Sequence, residues 1–218
     1  PLALLGTDFL AEKSILMLEP RRLAATNAAR FMASLLNENV GQRVGFSIRY
    51  QSKISASTRI EVVTEGILTR RLQQDPELTG VGLVIFDEFH ERHLQSDLAL
   101  ALCLDVQNDL RHDLKLLIMS ATLDATPLAE KLQAPLLTSE GRSYPVTTHY
   151  LPRKPRQSIV DATVSAIRRA LAETDGNLLV FLPGEGEIRR CQQQLTDTGP
   201  ILVCPLFGNL PLVEQERA

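Results

Sequence analysis

Two adjacent carboxylates, Asp87 and Glu88, directly follow Val81–Phe86 (VGLVIF), an almost wholly apolar run of the length of one buried strand. Carboxylates at the carboxyl end of a central parallel strand sit where α/β folds bind their ligands. There, one carboxylate helps to hold Mg²⁺ and its neighbour polarises a water for attack on a terminal phosphate. Successive side chains of a strand point to opposite faces, so the pair can act together only if the strand ends and the chain turns. By composition alone such a pair is more often the start of a solvated loop, and its surroundings decide between the two.

Arg21 and Arg22 follow a second apolar run, Ser14–Leu18 (SILML), closed by Glu19-Pro20. Adjacent arginines suit phosphate oxygens through charge-assisted hydrogen bonds, although alone they read as the exposed start of a helix. Thr64 offers a hydroxyl, and Gly66 lets a backbone approach closely. Contacts of this kind read a sugar-phosphate backbone and not base identity.

Other chemistries fit badly. His90 and His93 are three apart with Glu91 between them, whereas the zinc-protease helix H-E-x-x-H needs histidines four apart. In Gly184-Glu185-Gly186 a carboxylate would repel the pyrophosphate of a dinucleotide. Cys103, Cys191 and Cys204 are odd in number, far apart and form no C-x-x-C pair, which argues against a zinc ribbon or disulfide framework and for a reducing cytoplasm. Cys103 lies in an apolar helical stretch and reads as core; His112 and His149 read as structural or exposed.

The bulk numbers narrow the class further. With 44% hydrophobic and 22% charged residues over 218 positions, the chain has a globular composition. A net charge of −3 excludes binding of nucleic acid by bulk positive charge, while leaving room for a local basic groove. Aromatics are 5% and tryptophan is absent, so base stacking cannot be the main binding device. No apolar run approaches the ~18 residues needed to cross a bilayer, so no membrane is expected as a partner.

The candidate residues are strung on alternating elements. Strands are expected at Ser14–Leu18, Arg43–Tyr50, Arg59–Val63, Val81–Phe86, Lys115–Met119 and Leu136–Thr138. Helices are expected at Arg22–Leu36, Gly66–Gln74, Leu94–Leu110 and Thr126–Leu132. The proline-rich segment 142–156, with a β-like run Val146–Tyr150, reads as a linker. Beyond it the alternation restarts: helix Gln157–Glu173 with Ile159, Ala162, Ala166, Ile167 and Ala170 on one side, strand Asn177–Leu182, helix Glu185–Leu195 and strand Ile201–Pro205. The expectation is two α/β units with parallel sheets, 1–141 and 157–218, the second incomplete.

In order along the chain stand Glu19-Pro20-Arg21-Arg22-Leu23-Ala24-Ala25, Thr64-Glu65-Gly66-Ile67-Leu68, Asp87-Glu88-Phe89-His90-Glu91-Arg92, Ser120-Ala121-Thr122 and Phe181-Leu182-Pro183-Gly184-Glu185-Gly186-Glu187-Ile188. These strings resemble motifs Ia, Ib, II, III and IV of the DEAH group of superfamily 2 helicases. The stretch Asp87–Gln107 looks most like the bacterial HrpB-type members, and the resemblance covers essentially the whole chain.

The resemblance implies a RecA-like parallel sheet flanked by helices, the P-loop NTPase fold, with a first domain nearly complete and the start of a second. It implies ATP and Mg²⁺ as cofactors and a single strand of RNA or DNA as partner, RNA being the commoner substrate of the group. Asp87 would bind Mg²⁺ through its water shell, and Glu88 would orient and deprotonate the attacking water. His90 would link the nucleotide site to Ser120 and Thr122, which would couple hydrolysis to domain movement. Arg21, Arg22, Arg49, Thr64 and Gly66 would contact the strand, with Gly184 on the second domain's side of the same channel. Two other readings stay open: a strand-binding module that does not hydrolyse, and an NTPase of this fold that remodels proteins.

No G-x-x-x-x-G-K-[ST] run and no arginine-rich motif VI occur in the sequence. Pro1–Leu5 reads as the inside of a helix and Leu212–Ala218 as the first turns of another. The chain is therefore expected to be a fragment whose parent hydrolyses ATP but which alone is nearly inactive.

Overall fold

Strand β1 (Ser14–Glu19) forms the centre of the first unit. Ile15 and Met17 enter one core and Leu16 and Leu18 the other, on opposite faces of the sheet, and none of the four is more than 4% exposed. Burial on both faces is what a continuous apolar run requires. In the computed structural model the described residues are 1–121, 125–139, 141, 144–150, 157–195, 199, 201–215 and 217. They fall into two units, Pro1–Ser139 and Glu140–Ala218.

In the first unit, β2 (Val44–Ile48), β3 (Gln51–Lys53), β4 (Ile60–Thr64), β5 (Val81–Phe86) and β6 (Lys115–Ile118) join β1 in one sheet ordered β3-β2-β4-β1-β5-β6. All neighbours are parallel except β2 and β3, which form a hairpin. Helix α1 (Arg22–Leu35) buries Ala25, Ala29, Met32 and Ala33 against one face with Val44, Phe46 and Ile60. Helices α2 (Glu65–Gln74) and α3 (Leu94–Asp105) bury Leu68, Leu72, Ala99, Leu100 and Cys103 against the other. Helix α4 (Thr126–Leu132) closes the unit. The expected α/β sheet flanked by helices is thus present.

The differences have physical causes. The polar, exposed strand β3 was not expected; it exists because the chain doubles back on β2. A side chain at Gly45 would collide with the Lys53 carbonyl and come within 2.9 Å of Ile54, so the hairpin needs glycine there. The helix expected over Leu94–Leu110 changes to a π-helical turn at Val106–Leu110, closed by the Arg111 N–H on the Val106 carbonyl at 2.7 Å. Leu136–Thr138 forms no strand: it joins no ladder, and Leu137 is 90% exposed. Leu2–Leu4 is a 3₁₀ turn and not the inside of an α-helix.

The amino-terminal ends of the strands are tied together by side chains. Arg111 donates to the carbonyls of Glu77 (2.8 Å) and Val81 (3.0 Å) and pairs with Asp113, which also takes Lys13. These bonds hold the edge of the sheet opposite to the carboxylates.

The second unit contains α5 (Ile159–Glu173), α6 (Glu185–Gln194) and α7 (Leu212–Gln215). Ser158 caps α5 by accepting the Asp161 N–H. Val160, Val164 and Ile167 pack with Cys191 and Leu195, so the buried stripe is rotated from the expected one and Ile159 is half exposed. No strand forms at Val146–Tyr150, Asn177–Leu182 or Ile201–Pro205; Leu179 and Phe181 stand in solvent, while Leu182 and Val203 lean on the small core. An apolar run becomes a strand only inside a ladder, and a few short runs do not make a stable sheet.

Candidate active site

Parallel strands align their carboxyl ends, and this edge gathers the candidates of the first unit. Arg21 and Arg22 follow β1, Arg49 follows β2, Thr64 ends β4, Asp87 and Glu88 follow β5, and Ser120 lies just beyond β6. Gly184 belongs to the second unit, where it precedes α6. Thr122 lies outside the described residues.

The turn after β5 is built from four constraints. The Asp87 N–H donates to the Leu18 carbonyl at 3.0 Å, keeping Asp87 in line with β1. At Glu88 the backbone turns left-handed, φ 50° and ψ 32°, and the Glu88 N–H donates to Asp87 Oδ1 at 2.8 Å. A residue with a side chain adopts that conformation at a cost, so the surroundings must hold it. Phe89 supplies the hold: it is buried, packs edge-on against Phe86 with centroids 6.2 Å apart, and its N–H meets the Met119 carbonyl at 3.1 Å. Arg92, also left-handed at φ 50°, ends the short turn Phe89–Glu91 and clasps Asp97 through two nitrogens.

His90 stands between the carboxylate and the loop after β6. Its Nδ1 is 3.3 Å from Glu88 Oε2 and 3.4 Å from the Ala121 N–H. One nitrogen cannot serve both at once: carrying a proton it donates to Glu88, and without one it accepts from Ala121. The ring thus connects Glu88 to the backbone between Ser120 and Thr122.

Glu19, quoted in a motif but given no role from the sequence, is the deepest carboxyl here. It ends β1 beside Asp87 and is 5% exposed. Burial, then the Asp87 carboxylate and its hydrogen bond, and lastly Glu88 and Glu91, push its pKa up to about 8. At neutral pH Glu19 therefore favours its protonated form. Only the order β4-β1-β5 reveals this adjacency; the available signal was a carboxylate ending a central strand.

The strand candidates differ in state. Arg21, exposed at the start of α1, bonds Glu91 Oε1 at 2.9 Å, while His93 Nε2 takes Glu91 Oε2 at 2.8 Å. Those partners, His93 first, hold the Glu91 carboxyl below its usual pKa. Arg22 is exposed. Thr64 precedes α2 without a side-chain capping bond, and at Gly66 an added Cβ would meet nothing within 4 Å. Between them, Glu65 accepts from the Ser96 hydroxyl at 2.6 Å. Arg49 lies at the tip of the β2–β3 hairpin with its guanidinium 4.7 Å from the Tyr50 ring centre.

Among the described residues, no group of three or more His, Cys, Asp or Glu side chains is placed to hold a metal. Mg²⁺ does not need such a cage: it keeps its waters and takes one or two carboxylates plus substrate phosphates. Asp87, only partly buried just past the end of β5, fits that manner of binding.

The model of the family described as DEAD/DEAH box helicase matches residues 3–130. The chain is 55% identical, over its whole length, to the ATP-dependent RNA helicase HrpB of Escherichia coli (strain K12), of which it covers 27%. A crystal structure of the E. coli DEAH/RHA helicase HrpB superposes with a TM-score of 0.91 over all of this chain and 28% of that one. A second, described as the E. coli DExH-box NTPase HrpB, gives 0.81 over 27% of its length. The chain spans little more than a quarter of these relatives. Family model, relatives and the turn after β5 agree: the chain belongs to the DEAD/DEAH box helicases.

Proposed function

We propose that the protein carrying this chain is an ATP-dependent helicase that couples hydrolysis of Mg-ATP to movement along a single nucleic-acid strand, with RNA as its substrate. The observation that carries the reading is the left-handed turn at Glu88. It sets Asp87, Glu88 and His90 together at the carboxyl end of a central parallel strand. RNA is preferred over DNA because the E. coli relative is named an RNA helicase.

In this reading Glu88 accepts the proton of the attacking water, and its 3.3 Å contact with His90 fixes where its carboxylate sits. Asp87, at the carboxyl end of β5, would anchor the hydrated metal. Mg²⁺, when bound, neutralises charge developing on the phosphates. His90, against Ala121, passes a change at Glu88 to Ser120 and Thr122, which couple it to domain movement. Arg21, Arg22, Arg49, Thr64 and Gly66 hold the strand by its backbone, as does Gly184 in the second unit, whose domain begins after the linker 142–156. The 218 residues contain no phosphate-cradling G-x-x-x-x-G-K-[ST] run, so alone they bind ATP weakly and turn it over barely. A cytoplasmic location fits; no described helix is long and apolar enough to cross a membrane.

The test is ATP turnover by the full-length protein with and without single-stranded RNA, alongside strand displacement from a tailed duplex. RNA-stimulated turnover with displacement is expected. Strand binding without turnover would favour a passive binding module, and turnover without displacement a remodelling NTPase.

A further inference from the structure

Resting on the reading that Arg21 holds a strand phosphate, we propose that Glu91 is a positioning residue. It competes with the strand for Arg21 and so reports strand occupancy to the turn that carries Glu88.

The geometry is that of an exchangeable clamp. Glu91 has one oxygen on Arg21 (2.9 Å) and the other on His93 (2.8 Å). The Arg21 side chain is 71% exposed and that of Glu91 only 25%. An anion arriving from solvent therefore meets the guanidinium first. A phosphate can offer Arg21 two parallel acceptors, whereas Glu91 offers one because His93 holds the other. The contact spans 70 residues of sequence, from the start of α1 to the turn after β5. It joins a segment assigned to the strand to the segment assigned to the nucleotide.

Glu91 is also tied to the reacting end of that turn. Its N–H donates to the Glu88 carbonyl at 2.9 Å, the bond that closes the turn around the left-handed Glu88. With the strand absent, Arg21 and His93 hold Glu91, and through this bond the Glu88 backbone, in the resting arrangement. When a phosphate takes Arg21, Glu91 keeps only His93, and the turn is free to settle around bound nucleotide.

The experiment uses the full-length protein, Mg-ATP and poly(U) as the strand. Glu91→Gln is expected to raise strand-free turnover and lower the ratio of stimulated to strand-free turnover. It is also expected to tighten poly(U) binding at low salt. Each of the last two changes should be roughly 2–5-fold, the range an exposed ion pair of up to ~1 kcal/mol corresponds to. In the Arg21→Gln background the Glu91→Gln change should have no further effect on poly(U) affinity. Equal loss of both turnover rates with unchanged affinity would mean that Glu91 only props the turn, and would overturn the proposal. Should Glu91→Gln fail to fold, Glu91→Asp keeps the charge but is too short to span both partners. A smaller change of the same sign is then expected, and an unchanged ratio sinks the idea. Wild-type protein that poly(U) does not stimulate removes the helicase reading itself. Normal stimulation with an unaltered Glu91→Gln ratio removes only the competition.

Discussion

The Asp87 N–H on the Leu18 carbonyl, 3.0 Å away, extends the β1–β5 ladder one step past the last strand residue. It brings Glu19, the residue after Leu18, beside Asp87 and into a nearly dry environment. Burial there disfavours a charge on Glu19 and the neighbouring Asp87 carboxylate adds to that, so Glu19 holds its proton more tightly than a free carboxyl.

Stability should therefore fall as pH rises through the window that Glu19 sets. Its pKa is raised from 4.5 to about 8 on folding, so between those values the folded chain keeps a proton that the unfolded chain releases. That difference costs folding free energy progressively, on the order of a few kcal/mol by pH 8. Urea unfolding with a chelator present, at pH 5 to 9, should show the wild type losing stability relative to Glu19→Gln. Parallel curves would show that Glu19 ionises normally.

Glu88→Gln in the full-length protein keeps the turn and removes the base. Single-turnover ATP cleavage should drop at least ~100-fold, the low end of what a positioned base contributes, with fluorescent-nucleotide affinity within about twofold of wild type. Retained turnover would place the base elsewhere.

Gly66→Leu separates strand contact from folding. Nothing lies within 4 Å of a Cβ at this position in the first turn of α2, and leaving glycine gains helix propensity. The melting temperature should hold or rise while poly(U) affinity falls several-fold. A variant with unchanged affinity would remove Gly66 from the strand interface.

Phe89→Ala should cost about 3–5 kcal/mol in the urea midpoint of the first unit, because Phe89 is 4% exposed and wedged against Phe86. A loss near 1 kcal/mol would mean that the turn is held by its backbone bonds alone.

How much of this was legible depends on the range of the interaction. The strands of the first unit could be read because a segment buried on both faces is apolar throughout, as Val81–Phe86 is. The same rule over-read Asn177–Leu182 and Ile201–Pro205, where apolarity is present but a ladder is not. Strand β3 was invisible because Gln51-Ser52-Lys53 is exposed and exists only through its hairpin with β2. Asp87 and Glu88 stood out because they follow an apolar run directly, and His90 through the motif that the string Asp87–Arg92 resembles. The protonated state of Glu19 and the bond from Arg21 to Glu91 depend on strand order, and no local pattern encodes which strands become neighbours.

The ties of Arg111 to Glu77, Val81 and Asp113 have a corollary for how the first unit breathes. Amides at that rim lie beneath side chains as well as ladders, so their opening requires those ties to break along with the strand bonds. Deuterium should therefore reach the amino-terminal ends of β5 and its neighbours slowly, and faster once Arg111 is removed.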